Sequence, residues 1–263
     1  MIGIAIHGAG GRMGQRLIAL GSQDDQVNLT AAMESASHPR AGEDAGVVAG
    51  VGELSLPLSP EWNDTTEAVI DFSVPAGAEA ITRTCLEKKT PLVVATTGLS
   101  EEQKALIEQA ATEIPVVWAP SMSTMVNLTM KLATTAAEVL KDYPGGTDVE
   151  ILERHHRFKE DSPSGTALRF GNLISNAMGI SNEVHGREGQ VGVRPRNELA
   201  YHAIRTGDNP GEHTIVFGVL GETIELTVKA SNRDCYALGA LSAAKFVSQQ
   251  TPGLYNMYDV LGL

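Results

Sequence analysis

Apolar residues recur with two different periods along the first half of the chain. Short apolar runs predict buried strands, and the segments between them place apolar residues at helical spacing, as Leu17 and Ile18 do within residues 12–21. The predicted strands are Ile2–His7, Asn28–Met33, Ala68–Phe72, Pro91–Ala95 and Pro115–Trp118. Strands and helices that alternate in this way predict a parallel sheet with right-handed crossovers. Residues 35–66 interrupt the pattern, and no element is predicted there.

The pattern changes in the second half of the chain. Strand-like runs joined by short glycine-containing turns predict an antiparallel meander, and a helix over residues 164–178 is predicted among them. The meander covers residues 199–206, 213–220 and 222–230, and a separate strand-like run covers residues 147–153. We therefore predict an α/β domain over residues 1–126 and an α+β domain over residues 127–235. Residues 236–263 contain most of a further helix and a short apolar tail, and we expect them to pack back on the first domain.

Composition and charge narrow the class of protein. The chain has 263 residues, 42% of them apolar, and a net charge of −12. The negative charge argues against a nucleic-acid or anionic-membrane binder. Cys85 and Cys235 lack the spacing of a metal site or a disulfide scaffold. This spacing leads us to expect no bound metal. Because no apolar run reaches the roughly 18 residues of a membrane span and no signal-peptide pattern is present, we expect a cytoplasmic protein.

A glycine-rich segment, GAGGRMG, follows the first predicted strand and opens a helix. Gly8, Gly11 and Gly14 suit a tight turn that lets the backbone approach a pyrophosphate at the helix N-terminus. Glu34, at the end of the next strand, is placed to accept hydrogen bonds from the adenosine ribose. The alternative is a glycine-rich turn that binds nothing. Strand, loop, helix and acid together favour a dinucleotide site.

The residue after Glu34 bears on the choice of cofactor. Ser35 stands there, whereas a 2′-phosphate favours an arginine and is repelled by an acidic side chain. The sequence leaves open whether His38 or Arg40 supplies a charge in its place. The sequence therefore favours NADH over NADPH.

A cationic segment lies in the second domain. Five basic residues occur within six positions, on what we predict to be a loop: Arg154, His155, His156, Arg157 and Lys159. Such a cluster concentrates anionic substrates. Ser164, Gly165 and Thr166 then open a helix whose amides suit a carboxylate, while His155 and Lys159 are candidates for proton transfer. The alternative is a solvated charge run with Ser164 as a plain N-cap, and a metal site is disfavoured by the flanking cations.

The segment from Glu150 to Ala167, EILERHHRFKEDSPSGTA, resembles the signature of the dihydrodipicolinate reductase family. The resemblance rests on its glutamates, His155, Lys159, Asp161 and the final PSGTA. The GAGGRMG loop, ATTG at Ala95–Gly98 and APSMS at Ala119–Ser123 occur in the family's order. The resemblance covers essentially the whole chain.

This resemblance implies a nicotinamide-dependent reductase of lysine and diaminopimelate biosynthesis that acts on a small cyclic dicarboxylate. It implies a Rossmann-like first domain, a second domain with an open mixed sheet, and a homotetramer. The implied catalytic residues are His155 and Lys159, and His156, Gly165 and Thr166 would bind substrate. The implied cofactor residues are Gly8, Ala9, Gly10, Gly11, Arg12, Met13, Glu34, Ala95, Thr96, Thr97, Ala119, Pro120, Ser121 and Met122.

Three departures from the family pattern concern the cofactor. The family often has an arginine where this chain has Ser35, another where it has Val74, and an aromatic residue near Met122. The first two favour NADH and leave the reaction unchanged. Two rival hypotheses remain: a reductase of an amino-acid semialdehyde or 2-hydroxy acid, and a non-catalytic sensor of NAD(H). Neither explains the arrangement of His155, Lys159 and the PSGT segment.

Overall fold

The chain folds into two units in the computed structural model, which describes residues 1–263. Unit 1 consists of Met1–Thr124 and Arg233–Leu263, and unit 2 of Met125–Asn232. Unit 1 is a parallel α/β structure, and unit 2 combines helices with a mixed sheet. The predicted fold class is confirmed.

Seven strands form the sheet of unit 1, in the order β12-β6-β5-β4-β1-β2-β3, and every neighbouring pair is parallel. Strand β1 lies between β2 and β4, so the strand order reverses at the β1–β4 pair. Dinucleotides bind at the carboxyl ends of strands at such a reversal. The strands are β1 (Ile2–His7), β2 (Val27–Met33), β3 (Leu58–Ser59), β4 (Ala68–Asp71), β5 (Leu92–Val94), β6 (Pro115–Trp118) and β12 (Gly253–Tyr255).

Both faces of this sheet are buried under helices. Alternate residues of β1 point to opposite faces: Ile4 and Ile6 belong to one apolar cluster with Leu241, and Ala5 belongs to another with Ile81. Burial on both faces explains why the strands are almost wholly apolar. The helices of unit 1 are α1 (Arg12–Gly21), α2 (Ala45–Ala49), α3 (Pro75–Lys88), α4 (Glu101–Ala110), α7 (Asp234–Val247) and α8 (Met257–Leu261).

Two segments of unit 1 are more ordered than the sequence indicates. Residues 35–66, where no element is predicted, contain α2 and β3. The Asp44 side chain fixes this segment by accepting hydrogen bonds from the amides of Val47, Leu54 and Leu56. The final apolar tail forms β12 and α8, and β12 extends the sheet beside β6. Both segments are ordered by contacts with residues distant in sequence, and the periodicity of apolar residues gives no signal for such contacts.

Unit 2 has a five-stranded sheet in the order β11-β10-β7-β9-β8. The expected antiparallel meander is incomplete, because β9 pairs parallel with both β7 and β8, whereas β10 is antiparallel to β7 and β11. The sheet is therefore mixed. The strands are β7 (Asp148–His155), β8 (Asn182–His185), β9 (Glu198–Arg205), β10 (Glu212–Val219) and β11 (Glu222–Lys229), and the helices are α5 (Thr124–Leu140) and α6 (Gly165–Met178).

The two faces of the mixed sheet differ in character. Val149, Ile151 and Phe217 are buried on one face, whereas Leu152 and Ile204 on the other are 36% and 41% exposed. Glu150 organises a network of ions, accepting hydrogen bonds from three cationic or titratable side chains at 2.6–3.0 Å: Arg187, Arg194 and His202. Burial opposes ionisation of Glu150, but the bonds from Arg187, His202 and Arg194 prevail and lower its pKa to about 2.

None of the helices combines the length and the hydropathy that crossing a bilayer requires.

Gly239 allows α7 to lie against a backbone segment of unit 1. A Cβ at this position would lie 1.8 Å from the carbonyl oxygen of Met122, too close for any rotamer to relieve. Although alanine is the better helix former by about 1 kcal/mol, we expect Gly239→Ala to lower the free energy of unfolding by about 2 kcal/mol, since the backbone must move. Urea denaturation measures this difference.

The matched control is Ser242→Ala, because Ser242 lies in the same helix with its side chain exposed. Its free energy of unfolding should stay within about 0.5 kcal/mol of wild type. A Gly239→Ala protein as stable as wild type would contradict the steric argument.

Candidate active site

The glycine loop lies at the carboxyl end of β1, at the β1–β4 reversal. Gly8 has φ +79°, and a Cβ there would lie 2.7 Å from the carbonyl oxygen of Phe72. A Cβ on Gly14 would lie 2.2 Å from the carbonyl oxygen of Gly8. Gly11 is the N-cap of α1 and offers no side chain to the first-turn amides. The loop therefore fits a dinucleotide diphosphate, which backbone amides can approach and bind.

Glu34 reaches the loop as its position after β2 predicts. Its carboxylate accepts hydrogen bonds from the amides of Gly10 and Ser35, both at 3.0 Å. The His38 ring packs against the same glycine, since a Cβ on Gly10 would lie 2.7 Å from its Cε1. Arg40, the other candidate for a positive charge near Glu34, is bound to Glu43 instead. Its Nε and Nη2 both donate to the Glu43 carboxylate, at 3.0 and 2.8 Å.

The other cofactor candidates follow β5 and β6 at the same edge of the sheet. Ala95 and Thr96 are buried after β5, and Ala119 and Met122 are buried after β6. Their side chains belong to the protein interior, so a ligand could contact them chiefly through the backbone. Thr97, Pro120 and Ser121, together with Arg12 and Met13 in the glycine loop, are partly or fully exposed.

Sequence reasoning did not consider Asp71, which is fully buried at the end of β4. Its carboxylate accepts hydrogen bonds from His7 Nδ1 at 2.7 Å, Ser73 Oγ at 2.6 Å and Thr96 Oγ1 at 2.6 Å. The Thr96 hydroxyl is thus committed to a hydrogen bond within the protein. An acidic residue ending the apolar run AVIDF is the signal that could have identified this cluster, since a buried carboxylate needs donors.

In unit 2, His155 is the last residue of β7, and its ring is oriented by Glu153. The two residues share a face of the strand, and Nδ1 lies 2.6 Å from Glu153 Oε2. With Nδ1 engaged, Nε2 is the nitrogen available for proton exchange. Glu153 also accepts bonds from two Arg205 nitrogens, at 2.8 and 2.7 Å, and from the Ser164 amide at 3.1 Å.

The surroundings of His155 favour its neutral form. Burial is the main cause that lowers its pKa; the bond to Glu153 opposes the shift, and the charges of Lys159 and Arg205 add to it. The pKa of Glu153 is also lowered, but by a different balance. Burial raises this pKa, whereas the hydrogen bonds from Arg205 and His155 outweigh burial and lower it. The site therefore contains an ionised carboxylate and an imidazole that is readily uncharged.

A second histidine supports the start of α6. His213 lies edge-on to His155 with ring centroids 5.2 Å apart, and its Nε2 is 2.9 Å from Ser164 Oγ. Burial, with a further contribution from the charge of His155, lowers the pKa of His213 to about 4. Ser164 Oγ caps α6 by accepting the Ala167 amide. Gly165, the first residue of the helix, is exposed, so its amide and that of Thr166 are placed to bind an anion.

The cationic segment is less concentrated than its sequence suggests. We expected a loop, but β7 continues to His155, and strand alternation places Arg154 on the opposite face, 3.8 Å from Glu212. Lys159 pairs with Asp161 at 2.8 Å. His156 has a buried Nδ1 with no hydrogen-bond partner, and Arg157 is exposed.

The cation that contacts the site and that sequence reasoning missed is Arg205. It lies on β9, where it is the register partner of His155. The linear sequence carries no signal for this pairing, because fifty residues separate the two positions along the chain and the strands must first pair in parallel.

Two family models together match nearly the whole chain. One, described as dihydrodipicolinate reductase, N-terminus, matches residues 2–122, and the other, described as dihydrodipicolinate reductase, C-terminus, matches residues 125–261. The chain belongs to the dihydrodipicolinate reductase family.

Relatives and solved structures agree with this assignment. The chain is 57% identical to 4-hydroxy-tetrahydrodipicolinate reductase of Rhodopirellula baltica, covering 100% of the chain and 96% of the relative. It is 44% identical to the enzyme of that name from Alkalilimnicola ehrlichii, covering 99% and 98%. In fold it resembles dipicolinate-bound dihydrodipicolinate reductase from Paenisporosarcina sp. TG-14, with a TM-score of 0.76, 23% identity and 98% coverage of both chains.

The buried His213 makes stability depend on pH. Its folded-state pKa of about 4 lies below the ordinary value of 6.5, so the unfolded chain binds a proton first as pH falls. The resulting stability is fully present above pH 6.5 and is lost as pH falls towards 4. We expect His213→Gln to reduce the decline in Tm between these values, because glutamine does not titrate and can still accept a bond from Ser164.

Thermal unfolding monitored by circular dichroism across this pH range measures the effect. His185→Gln is the control, since His185 is exposed in the same unit and should leave the decline unchanged. Identical declines in the wild type and His213→Gln would show that His213 makes no contribution.

Proposed function

We propose that the protein is a 4-hydroxy-tetrahydrodipicolinate reductase of the pathway to diaminopimelate and lysine. It reduces 4-hydroxy-tetrahydrodipicolinate to tetrahydrodipicolinate with NADH or NADPH. The observation that carries this proposal is the match of both family models to a chain in which Glu153 holds His155 near the exposed start of α6. In this proposal unit 1 binds the dinucleotide and unit 2 binds the substrate, in the cytoplasm.

The chemistry requires one hydride, one proton and the loss of water from the substrate ring. When bound, the nicotinamide supplies the hydride from its C4. Gly165 and Thr166 would bind a substrate carboxylate through their amides, and His156 would assist through its ring. A neutral His155 would accept at Nε2 the ring C–H proton lost on elimination, while Lys159 would donate one from Nζ, so that the departing hydroxide leaves as water. His155 would then return its proton to the ring carbon next to the one that takes the hydride, so that one hydride and one proton are consumed in all.

We propose a homotetramer whose subunits meet through the mixed sheet of unit 2. Support comes from the face of that sheet carrying Leu152, Ile204 and the ion network around Glu150. Exposed apolar side chains suit the core of an interface, and arginines such as the two that pair with Glu150 are enriched at interfaces.

The proposed cofactor is NADH. Ser35 carries no positive charge, and Val74 is 64% exposed where the family often has an arginine. Arg40, the remaining arginine of the loop, is paired with Glu43. Neither Ser35 nor Arg40 therefore supplies a free positive charge beside Glu34, and the carboxylate itself repels a 2′-phosphate.

Oxidation of NADH and NADPH at 340 nm tests the function directly. The substrate is generated in situ from pyruvate and aspartate semialdehyde by a coupling synthase. Oxidation that depends on the synthase would establish the reaction, and the ratio of the two kcat/KM values would establish the preferred cofactor. If the protein binds the cofactors but oxidises neither, the reductase is excluded and the sensor hypothesis is favoured.

Removal of the His155 ring tests its role in proton transfer. We expect His155→Ala to lower turnover by about 100-fold or more, because a general acid–base group contributes roughly this factor. NADH binding, measured by fluorescence, should be unchanged. His185→Ala, which removes an exposed ring from the same unit, should retain wild-type turnover. Turnover that survives in His155→Ala would remove this residue from the mechanism.

A charge added beside Glu34 tests cofactor preference. We expect Ser35→Arg to raise the NADPH-to-NADH ratio of kcat/KM by about tenfold, because a guanidinium binds a phosphate through paired charge-assisted hydrogen bonds. Thr112→Arg adds the same charge at an exposed position near the end of α4, and its ratio should equal that of wild type. An unchanged ratio in Ser35→Arg would place selectivity elsewhere.

A further inference from the structure

Arg205 lies beside the proton-transfer group, but the mechanism above gives it no part. It is the last residue of β9 and the register partner of His155, which is the last residue of β7. The Thr206 amide donates to the His155 carbonyl at 3.0 Å, so the two strands are still bonded where they end. The backbone therefore fixes Arg205 next to His155.

The guanidinium of Arg205 holds a carboxylate and is itself anchored by two carbonyls. Nη1 donates to Glu153 Oε2 at 2.8 Å and to the Ile204 carbonyl at 2.9 Å. Nη2 donates to Glu153 Oε1 at 2.7 Å and to the Asp161 carbonyl at 2.7 Å. Both oxygens of Glu153 are thus bound by a planar fork, the geometry that makes such pairs specific in orientation as well as strong.

These bonds leave Arg205 without a donor for a ligand. A guanidinium has five N–H groups. The four on Nη1 and Nη2 are used by the bonds above, and the fifth, on Nε, is buried without a partner. Arg205 could bind a substrate carboxylate directly only by giving up a bond to Glu153 or to a backbone carbonyl. Any part that it plays in the reaction is therefore indirect.

Glu153 connects Arg205 to the imidazole. Its Oε2 accepts from Arg205 Nη1 and lies 2.6 Å from His155 Nδ1, so one oxygen serves both side chains. The Glu153 side chain is 1% exposed, which leaves water little access to it. Burial raises the pKa of Glu153, and the bonds from Arg205 are the largest cause that lowers it. The guanidinium thus keeps this carboxylate ionised as well as fixed.

A lysine in place of Arg205 would separate charge from geometry. An ammonium is a point charge and lacks the planar fork that donates to both oxygens of a carboxylate. Glu153 would remain neutralised, but its carboxylate could turn about its last torsion, which is broad for glutamate. The hydrogen bond to His155 Nδ1 would then no longer hold the ring in one orientation.

We propose that Arg205 is a positioning residue for His155: its guanidinium fixes both oxygens of Glu153, so that the imidazole presents Nε2 to the substrate in one orientation. This inference rests on the proposed function, since it assigns proton transfer to His155. The effect is on turnover, because the amides at the start of α6 have further support. There Ser164 Oγ accepts the Ala167 amide and lies 2.9 Å from His213 Nε2.

The test measures kcat and KM of Arg205→Lys with NADH in the assay coupled to the synthase. We expect kcat to fall about tenfold, less than for His155→Ala, because a misplaced base keeps part of its effect. KM for the ring substrate should change less than about threefold, as for an interaction that acts in the transition state. Arg205→Gln, whose planar amide can donate to one Glu153 oxygen only, is the second variant and should lower kcat at least as far.

Arg154→Lys is the matched control. It makes the same substitution one residue before His155, on the opposite face of β7, where Arg154 faces Glu212. Both kcat and KM should equal the wild-type values. Thermal unfolding and NADH fluorescence check that each variant is folded and binds cofactor.

A double-mutant cycle separates positioning from a merely structural role. If Arg205 acts through His155, adding Arg205→Lys to His155→Ala should lower the residual kcat less than about twofold, since no imidazole remains to be misplaced. A structural role would lower kcat by the same factor in both backgrounds.

Wild-type kcat in Arg205→Lys would overturn the proposal, as would a further tenfold loss when this change is added to His155→Ala. A rise in KM without a fall in kcat would assign Arg205 to substrate binding and overturn it too. Each of these outcomes leaves turnover by the wild type, and hence the reductase function, intact. If the wild type oxidises neither NADH nor NADPH, the proposed function fails, and this inference fails with it.

Discussion

The buried carboxylate of Glu153 is the constraint on which unit 2 depends. An ionised carboxylate in a protein interior is strongly unfavourable unless donors surround it. Here the donors come from three separate elements: His155 on β7, Arg205 on β9 and the Ser164 amide at the start of α6. The orientation of the imidazole and the position of the α6 amides are therefore not independent. A change that displaces any one donor leaves the buried Glu153 carboxylate with fewer hydrogen bonds.

Unit 1 uses the same physical device at a different sheet. Asp71 is as deeply buried as Glu153, stands at a strand end, and likewise holds a histidine through Nδ1. In both units the imidazole is thereby left with Nε2 as its outer nitrogen. The partners differ, because Asp71 takes two hydroxyl donors where Glu153 takes a guanidinium and an amide.

Features that depend on local sequence pattern could be predicted, whereas features that depend on pairing between distant strands could not. The apolar runs of unit 1 predict strands because both faces of its sheet are buried, and the glycine loop is recognisable because its conformation excludes other residues at Gly8 and Gly14. Arg205 and the parallel placement of β9 could not be predicted, since they arise only when distant strands pair. The same limit explains Arg154, whose side of β7 was fixed by a strand end that lay two residues later than predicted.

The net charge of −12 poses a problem for a protein proposed to bind two anions, and the structure answers it locally. The cations nearest His155 are already paired, Arg205 with Glu153 and Lys159 with Asp161. Much of the attraction for a carboxylate must then come from the amides at the start of α6, whose dipoles are fixed and need no counter-ion. Burial is the main cause of the lowered His155 pKa, and the charges of Lys159 and Arg205 add to it. In the proposed function, the α6 amides bind an anion through fixed dipoles, while Arg205 and Lys159 remain paired with carboxylates.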